Sequence, residues 1–446
     1  MHHYDREKNV PKEHHVHRLG DWLPADHRTH REWIGGLVED VDNNPKELHP
    51  VIKEFQQLIE NNTRIYLLIN AMFEEIPHRK PYNNQPGGNS QIRDYQHFLK
   101  VLNHIMTIAP HWHTKSEKVG MVGLPILALL DWPMGTPSGF ALFLDPEMNK
   151  MWKKILDAWG EFLSSPESRE PALGDGPAGW FSSTGMTDLS IVANKPHKTD
   201  HSFEDMFVCQ PDQPYHGYKS WDDFFTRLFK EGIRPVASPD DDNVIANACE
   251  SKPYNYQYDC KMRDKFWIKG QPYSITDMLA HDPLAQQFAG GTVYQAFLSA
   301  LSYHRWHAPV SGKVVKAFVA PGTYYSEPLW EGVGQPGVKD IDIGGQTSSQ
   351  GYLTATATRG IIFIEADNPA IGLMVFIGIG MTEVSTCDIT VKEGQHIKKG
   401  EQTGMFHFGG STHVLIFRKG VKVQGFPEPG LEHNHPVRAP VAYIKN

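Results

Sequence analysis

The stretch MFHFGGSTHVLIF, residues 405–417, joins an aromatic-rich segment to a five-residue apolar run that predicts a strand. Gly409 and Gly410 separate the two parts. Adjacent glycines let the backbone bend, and they leave the Gly410 carbonyl without side-chain shielding. The Ser411 hydroxyl follows at once, so we expect it to reach that carbonyl.

The segments before this stretch predict more strands. Beyond about residue 290, apolar and β-branched runs alternate with glycine-containing turns. They read GKVVKAFVAPGTYY, RGIIFIEADN and LMVFIGIG, and HVLIFRKGVKVQGF continues from the stretch itself. This half of the chain is therefore predicted to be rich in β-structure.

Residues 40–165 show helical periods instead, so the fold class is predicted to be α+β. Asp145 followed by Pro146 is typical of a helix cap and first turn. Two apolar faces have the spacing of core-packing helices: Val51, Ile52, Phe55, Leu58 and Ile59, and Met151, Trp152, Ile155, Leu156 and Trp159.

Composition changes along the chain predict three parts. Residues 1–30 are rich in His and charge and are expected to be a flexible start. Residues 31–214 form a mainly helical domain that ends in Gly-, Ser- and Pro-rich loops, and residues 215–446 form the third part, in which we expect the chemistry to lie. His14, His15 and His17 lack an acidic or Cys partner at ligand spacing, so no metal site is predicted.

Gross composition excludes several classes of function. The 446 residues carry a formal charge of −9 and no basic cluster, which argues against a nucleic-acid partner. The longest apolar stretches are too short or too broken by glycine to span a bilayer. Four cysteines without metal spacing, and the absence of a secretory signal, predict a reduced cytoplasmic protein without stable membrane insertion.

Three further polar residues are candidates only in combination with Ser411. His304 and His307 lie in YHRWHAPVSG, and Glu250 lies in NVIANACESKPY. Alone, each histidine is more often structural or surface-exposed, and a lone Glu is usually a solvated charge. The histidines suit acid–base chemistry if a nucleophile lies near them, and Glu250 matters only if it orients an imidazole. Ser411 does not fit a hydrolase elbow, because that motif needs Gly at position 413.

Taken together, these segments resemble the phosphatidylserine decarboxylase family of pyruvoyl enzymes. VKEGQHIKKGEQTGMFHFGGSTHVLIF is similar to the family's terminal block, and YHRWHAPVSG to its two-histidine block. The resemblance covers roughly residues 215–446. Over nearly the whole chain, WGEFLSSPESRE, SWDDFFTRLF and FIGIGMTEVSTC resemble the fungal L-tryptophan decarboxylases.

The resemblance implies a self-cleaving precursor. With His307 as general base, Ser411 attacks the Gly410 carbonyl, and the chain splits into a β chain of residues 1–410 and an α chain of residues 411–446 that stay associated. Ser411 becomes a covalent pyruvoyl group, which replaces pyridoxal phosphate as the electron acceptor.

The resemblance also implies roles for the residues around Ser411. His304 is expected to reprotonate the product carbanion, and Glu250 stands where the family has an Asp that orients the histidine. Gly409 and Thr412 are expected to support the oxyanion of the first step.

The expected substrate is a free aromatic L-amino acid, above all L-tryptophan, which would yield tryptamine. One alternative is a phosphatidylserine decarboxylase that makes phosphatidylethanolamine. A remote alternative is a lipoyl- or biotinyl-type binding module, because VKEGQHIKKGEQTG resembles the hairpin of such barrels, although it lacks their Lys tip. A homo-oligomer is compatible with the sequence.

Overall fold

The computed structural model describes residues 10–11, 14–15, 22–77, 91–113, 120–264, 273–329, 349–383, 386–408, 411–431 and 433–445. Gly409, Gly410 and His17 lie outside the described residues. The described chain contains both helices and sheets, with helices in its N-terminal part and most strands in its C-terminal part, so the predicted α+β class is confirmed.

The two helices predicted from apolar spacing are confirmed. Ile52, Phe55 and Ile59 are buried on one face of the first helix. The second helix begins at Pro146, and the Asp145 carboxylate caps it by accepting from two backbone N–H groups. The described α-helices are α1 (His27–Asn43), α2 (Pro50–Asn61), α3 (Thr63–Glu74), α4 (Tyr95–Ile105), α5 (Pro125–Leu130), α6 (Pro137–Phe143), α7 (Pro146–Leu163), α8 (Ser183–Asn194), α9 (Phe203–Met206), α10 (Trp221–Phe225), α11 (Ile275–Met278) and α12 (Gln350–Thr356).

Residues 22–30, at the end of the predicted flexible start, are packed against the fold or lie in a helix. Helix α1 begins at His27, and the Trp22 and Leu23 side chains just before it are almost fully buried. Burial of such large apolar side chains outweighs the polar composition around them. Residues 1–9, 12–13 and 16–21 lie outside the described residues.

Fifteen strands form four antiparallel sheets in the described chain. The largest has seven strands in the order β11-β7-β8-β9-β13-β5-β4. The strands are β1 (His111–His113), β2 (Gly120–Val122), β3 (Val244–Ala246), β4 (Lys252–Cys260), β5 (Gly291–Leu298), β6 (Arg305–His307), β7 (Gly312–Ala320), β8 (Arg359–Ala366), β9 (Leu373–Gly380), β10 (Thr386–Ile389), β11 (His396–Ile397), β12 (Gln402–His407), β13 (Ser411–Phe417), β14 (Val423–Gln424) and β15 (Pro440–Ile444).

Strand β13 lies inside the seven-stranded sheet, between β5 and β9. All three of these strands are buried along their whole length, which explains their near-continuous apolar sequences. Ser411 pairs with Leu298 on one side and Gly380 on the other, and pairing continues to Phe417. The fold therefore fixes Ser411 at one end of a central strand.

The chain divides into two compact units that are both discontinuous in sequence. One comprises Met1–Asp188, Tyr218–Asp222 and Thr323–Ser349, and the other comprises Leu189–Gly217, Asp223–Gly322 and Gln350–Asn446. The second unit contains the seven-stranded sheet and all the described candidate site residues. The domain boundary at residues 214/215 and the division into two processed chains remain predictions.

Candidate active site

Ser411 is completely buried at the start of β13, and its Oγ has no hydrogen-bond partner within the described chain. A buried hydroxyl without a partner is costly, since it has lost its bonds to water. Such groups concentrate where chemistry requires them. The geometry thus leaves the Ser411 hydroxyl uncommitted.

The backbone close to Ser411 adopts strained conformations. Phe408, the last described residue before the two glycines, has φ 76°, and Thr382, two residues beyond the Ser411 partner Gly380, has φ 58°. Residues other than glycine rarely adopt this left-handed backbone region, and backbone strain of this kind clusters at functional sites. Both residues therefore mark this end of β13 as a candidate reaction site.

Thr412 faces away from Ser411 because side chains alternate along a strand. Its hydroxyl donates to the Ala296 carbonyl at 2.9 Å and accepts from Gln295 Nε2 at 3.1 Å. The side-chain amide oxygen of Gln295, Oε1, in turn accepts from the Tyr273 hydroxyl at 2.7 Å. The single proton of the Thr412 hydroxyl is therefore already donated to Ala296. In this geometry the hydroxyl has no proton left for the expected donation to an oxyanion. Gly409, the other expected oxyanion residue, lies outside the described residues.

The His307 imidazole is held at both ring nitrogens. Nδ1 lies 2.9 Å from the Gly400 carbonyl, and Nε2 lies 3.0 Å from the Tyr303 hydroxyl. A carbonyl can only accept, so Nδ1 carries the proton and Nε2 accepts from Tyr303. Burial raises the pKa of Tyr303 to about 12, which keeps the phenol protonated as a donor.

The same surroundings keep His307 neutral. Burial, followed by the charge of Arg438, lowers the pKa of His307 to about 3, and the hydrogen bond to Gly400 only partly opposes this. A neutral imidazole is the form that can take up a proton. His307 thus has the protonation state of a general base at physiological pH.

His304 is also completely buried, and its ring stacks on Phe225 with centroids 4.2 Å apart. Burial, followed by the charge of Arg227, holds the pKa of His304 well below its ordinary value, against a hydrogen bond to the Ser302 backbone. If His304 gains a proton during a reaction, it is therefore a strong acid that readily returns it.

Strand β6 places the two histidines at opposite ends of β12. His307 pairs with Gln402, whereas the His304 carbonyl accepts from the Phe406 N–H at 3.0 Å. Trp306, between them, packs so closely on neighbouring strands that a Cβ at Gly378 would lie 2.6 Å from its indole. The tight contact fixes β6 on the sheet. The β12 residue bound to His304, Phe406, lies five residues before Ser411 in the chain, and the one paired with His307, Gln402, lies nine residues before it.

The structure does not place Glu250 on His307. The Glu250 carboxylate accepts from Arg234 Nη2 at 2.7 Å and Nε at 3.0 Å, and from the Val437 N–H at 2.8 Å. Both nitrogens of His307 are bound elsewhere, so the expected hydrogen bond between these two residues is replaced. The planar guanidinium matches both carboxylate oxygens at once, which a single imidazole N–H cannot do.

Glu250→Gln should lower the free energy of unfolding by roughly 3–5 kcal/mol, because it leaves the Arg234 guanidinium buried without its counter-charge. Urea unfolding measured in a Ser411→Ala background would compare uncleaved chains. Asp367→Asn, which breaks an exposed pair with His396, is the matched control and should shift the value by less than about 0.5 kcal/mol. An unchanged stability for Glu250→Gln would show that the Arg234 pair is dispensable.

His413 is a completely buried polar residue near Ser411 in sequence that the sequence analysis did not single out. It lies two residues after Ser411 on the same face of β13, and its ring lies between those of Tyr294 and Phe376. Neither ring nitrogen has a hydrogen-bond partner within the described chain. Burial lowers the pKa of His413 to about 3, while the Ala296 backbone acts in the opposite direction. The period of two in STHVLIF was the available signal.

Two further properties of the described residues concern membranes and metals. No helix there is both long enough and apolar enough to cross a bilayer. Within the same residues, no group of three or more His, Cys, Asp or Glu side chains is arranged to hold a metal ion.

Comparison with known families gives two matches to this chain. Both matching family models are described as phosphatidylserine decarboxylase, one over residues 49–189 and the other over residues 221–444. The second spans half of the chain and contains Glu250, His304, His307 and Ser411.

Individual relatives match over very different lengths. The L-tryptophan decarboxylases of Psilocybe cubensis and Psilocybe cyanescens are 36% and 37% identical, over 92% and 93% of this chain and 91% and 92% of theirs. The phosphatidylserine decarboxylase proenzyme 3 of Schizosaccharomyces pombe is 28% identical over 53% of this chain and 23% of its own length. The first two relatives thus match nearly the whole of this chain, whereas the third matches about half of it.

Proposed function

Because this chain belongs to the phosphatidylserine decarboxylase family and is a carboxy-lyase, we propose that it decarboxylates a free aromatic L-amino acid, L-tryptophan, to give tryptamine. The observation that carries this proposal is the nearly full-length similarity to two L-tryptophan decarboxylases. Similarity to the phosphatidylserine enzyme of Schizosaccharomyces pombe reaches only about half of the chain.

Ser411 suits the role of pyruvoyl source. Its hydroxyl is buried at the end of a central strand and has no hydrogen-bond partner among the described residues, and it follows the Gly410 carbonyl in sequence. A pyruvoyl group at this position would supply the electron-accepting ketone that decarboxylation of an amino acid requires. Neutral His304, His307 and His413 give the surrounding residues the capacity to move protons without adding buried charge.

In the proposed cleavage, Ser411 Oγ attacks the Gly410 carbonyl carbon and the peptide nitrogen leaves, so that an ester replaces the amide. The Ser411 hydroxyl proton goes to His307 Nε2. Since Nε2 accepts from Tyr303, that hydroxyl either turns away or passes the proton through its own oxygen. His307 then gives this proton to the departing amine nitrogen. Loss of the Ser411 α-proton breaks the Cβ–Oγ bond and releases Gly410 as a free carboxylate, and water converts the resulting dehydroalanine to the ketone and ammonia.

His304 has the properties of a temporary proton carrier in the later reaction. The substrate arrives with an ammonium group and must lose a proton before its nitrogen can react. We assign that proton to His304, which returns it to the carbon atom that CO2 has left. The depressed pKa of His304 makes this return favourable, and it makes the preceding uptake of the proton from the ammonium group correspondingly unfavourable.

The position of β13 explains how the two products of cleavage would stay together. Residues 411–446 would keep β13 hydrogen-bonded between β5 and β9, with seven paired residues on each side. Strand β15 would keep its pairing with β3. These contacts support an enzyme of two associated chains from one precursor.

Purified protein incubated with L-tryptophan, L-phenylalanine, L-tyrosine or phosphatidylserine liposomes should release CO2 and amine from L-tryptophan at the highest kcat/KM. Ser411→Ala protein, which cannot form the ketone, is the blank for each substrate. Turnover of the liposomes alone would favour a phosphatidylserine decarboxylase and overturn the assignment. Turnover of none by cleaved protein would also reject the proposed substrates.

A further inference from the structure

The segment from His435 to Ala439 is hydrogen-bonded to Asn247 and Ala237, which lie in the same compact unit. The Asn247 side chain donates to the carbonyls of His435 at 2.8 Å and Pro436 at 3.2 Å. The Arg438 N–H donates to the Asn247 carbonyl at 2.8 Å, and the Arg438 carbonyl accepts from Ala237. We name residues 435–439 the C-terminal clamp. It would belong to the small product of cleavage.

Arg438 has a left-handed backbone, with φ 66°. This backbone conformation is strained in any residue other than glycine. Such a strained conformation persists only where the surrounding structure enforces it. The conformation directs the guanidinium so that Nε donates to the Gly400 carbonyl at 3.0 Å. The same carbonyl accepts from His307 Nδ1 at 2.9 Å.

From this shared carbonyl we propose, resting on the proposed function, that Arg438 is a positioning residue for His307 and that the C-terminal clamp is required for self-cleavage. Arg438 fixes the Gly400 carbonyl, the carbonyl fixes the ring and tautomer of His307, and Nε2 is thereby left as the basic nitrogen. The small product thus contributes both the nucleophile and a support for the base.

The proposal also gives Glu250 an indirect role. Its carboxylate accepts from the Val437 N–H, one residue before Arg438, while it binds Arg234. The Arg234 guanidinium lies 4.4 Å from the Phe229 ring, and Phe229 packs on Tyr303, which binds His307 Nε2. Glu250 therefore supports both contacts of the His307 ring without touching it.

Charges around His307 make pH a useful probe. The groups that face it are Arg438, Arg305 and the Tyr303 phenol, with the Glu250–Arg234 pair beyond Tyr303. Removing the positive charge of Arg438 raises the pKa of His307, so the acid limb of the cleavage rate should move to higher pH. Arg438→Lys keeps the charge and should not move that limb.

The test follows cleavage of full-length chains labelled in a short pulse of cell-free translation and chased at several pH values. Arg438→Gly and Arg438→Gln should cleave slower by on the order of ten- to a hundredfold, since a small misplacement of a catalytic group has effects of this size. Arg418→Gln, an arginine of the same product that contacts the Ile371 carbonyl, should cleave like wild type.

Stability separates positioning from a purely structural role. In a Ser411→Ala background, Arg438→Gly should unfold at the same or a higher denaturant concentration, because glycine relieves the φ 66° strain. Slow cleavage together with retained stability supports the proposal. Wild-type cleavage of both Arg438→Gly and Arg438→Gln overturns it, as does slow cleavage of Arg438→Gly and Arg438→Gln with the wild-type pH profile. Failure of the wild-type chain to cleave would reject the proposed function instead.

Discussion

Replacing Ser411 by alanine should leave one uncleaved chain of 446 residues without decarboxylase activity. Alanine keeps the strand position but removes the only atom that can attack the Gly410 carbonyl. The loss of folding stability should be small, because the Ser411 hydroxyl makes no hydrogen bond to any residue that the structure describes. Denaturing electrophoresis and an amine-release assay measure both effects.

Ser183→Ala is the matched control for this experiment. Ser183 is exposed at the beginning of α8, so its loss should affect neither cleavage nor turnover. Normal amine release by Ser411→Ala would mean that the reaction does not depend on a group derived from this serine.

The second large effect is expected from the two histidines of the YHRWH block. His307→Ala should accumulate precursor, because no neutral imidazole remains on Gly400 and Tyr303 to take up the serine proton. His304→Ala should be cleaved but should decarboxylate slowly. Each rate should fall by about a hundredfold or more, the usual contribution of a positioned acid–base group.

Quantifying precursor by electrophoresis and turnover on the cleaved fraction keeps these two steps apart. His396→Gln removes an exposed imidazole that contacts the Asp367 carboxylate, and it should behave like wild type in both assays. If His307→Ala and His304→Ala fail at the same step, the division of labour between them is wrong and the pair acts as one unit.

The sequence was sufficient for those parts of the fold that depend on local patterns. The caps and apolar faces of α2 and α7 are set by neighbouring residues, and the strands around Ser411 have continuous apolar runs because both faces are buried. Trp22 was overlooked because average composition hid one large side chain that the fold buries.

The partners of the site residues depend on contacts between distant segments. Glu250 binds Arg234, 16 positions away, and the Val437 N–H, 187 positions away. No local sequence pattern predicts either contact. Thr412 is different, since alternation along a strand already places it on the face opposite to Ser411. The histidines could be found because they share one short block with a recognisable spacing.

The most direct test of the central claim is the intact mass of the small fragment in purified wild-type protein. Cleavage before Ser411 with conversion to a pyruvoyl group should give a fragment of residues 411–446, roughly 4 kDa at a mean residue mass of about 110 Da. Its mass should be lower, by one ammonia, than that of the same peptide with an N-terminal serine, and borohydride should add two hydrogens. A fragment with an unmodified serine, or an active protein of 446 residues without any fragment, would contradict the account.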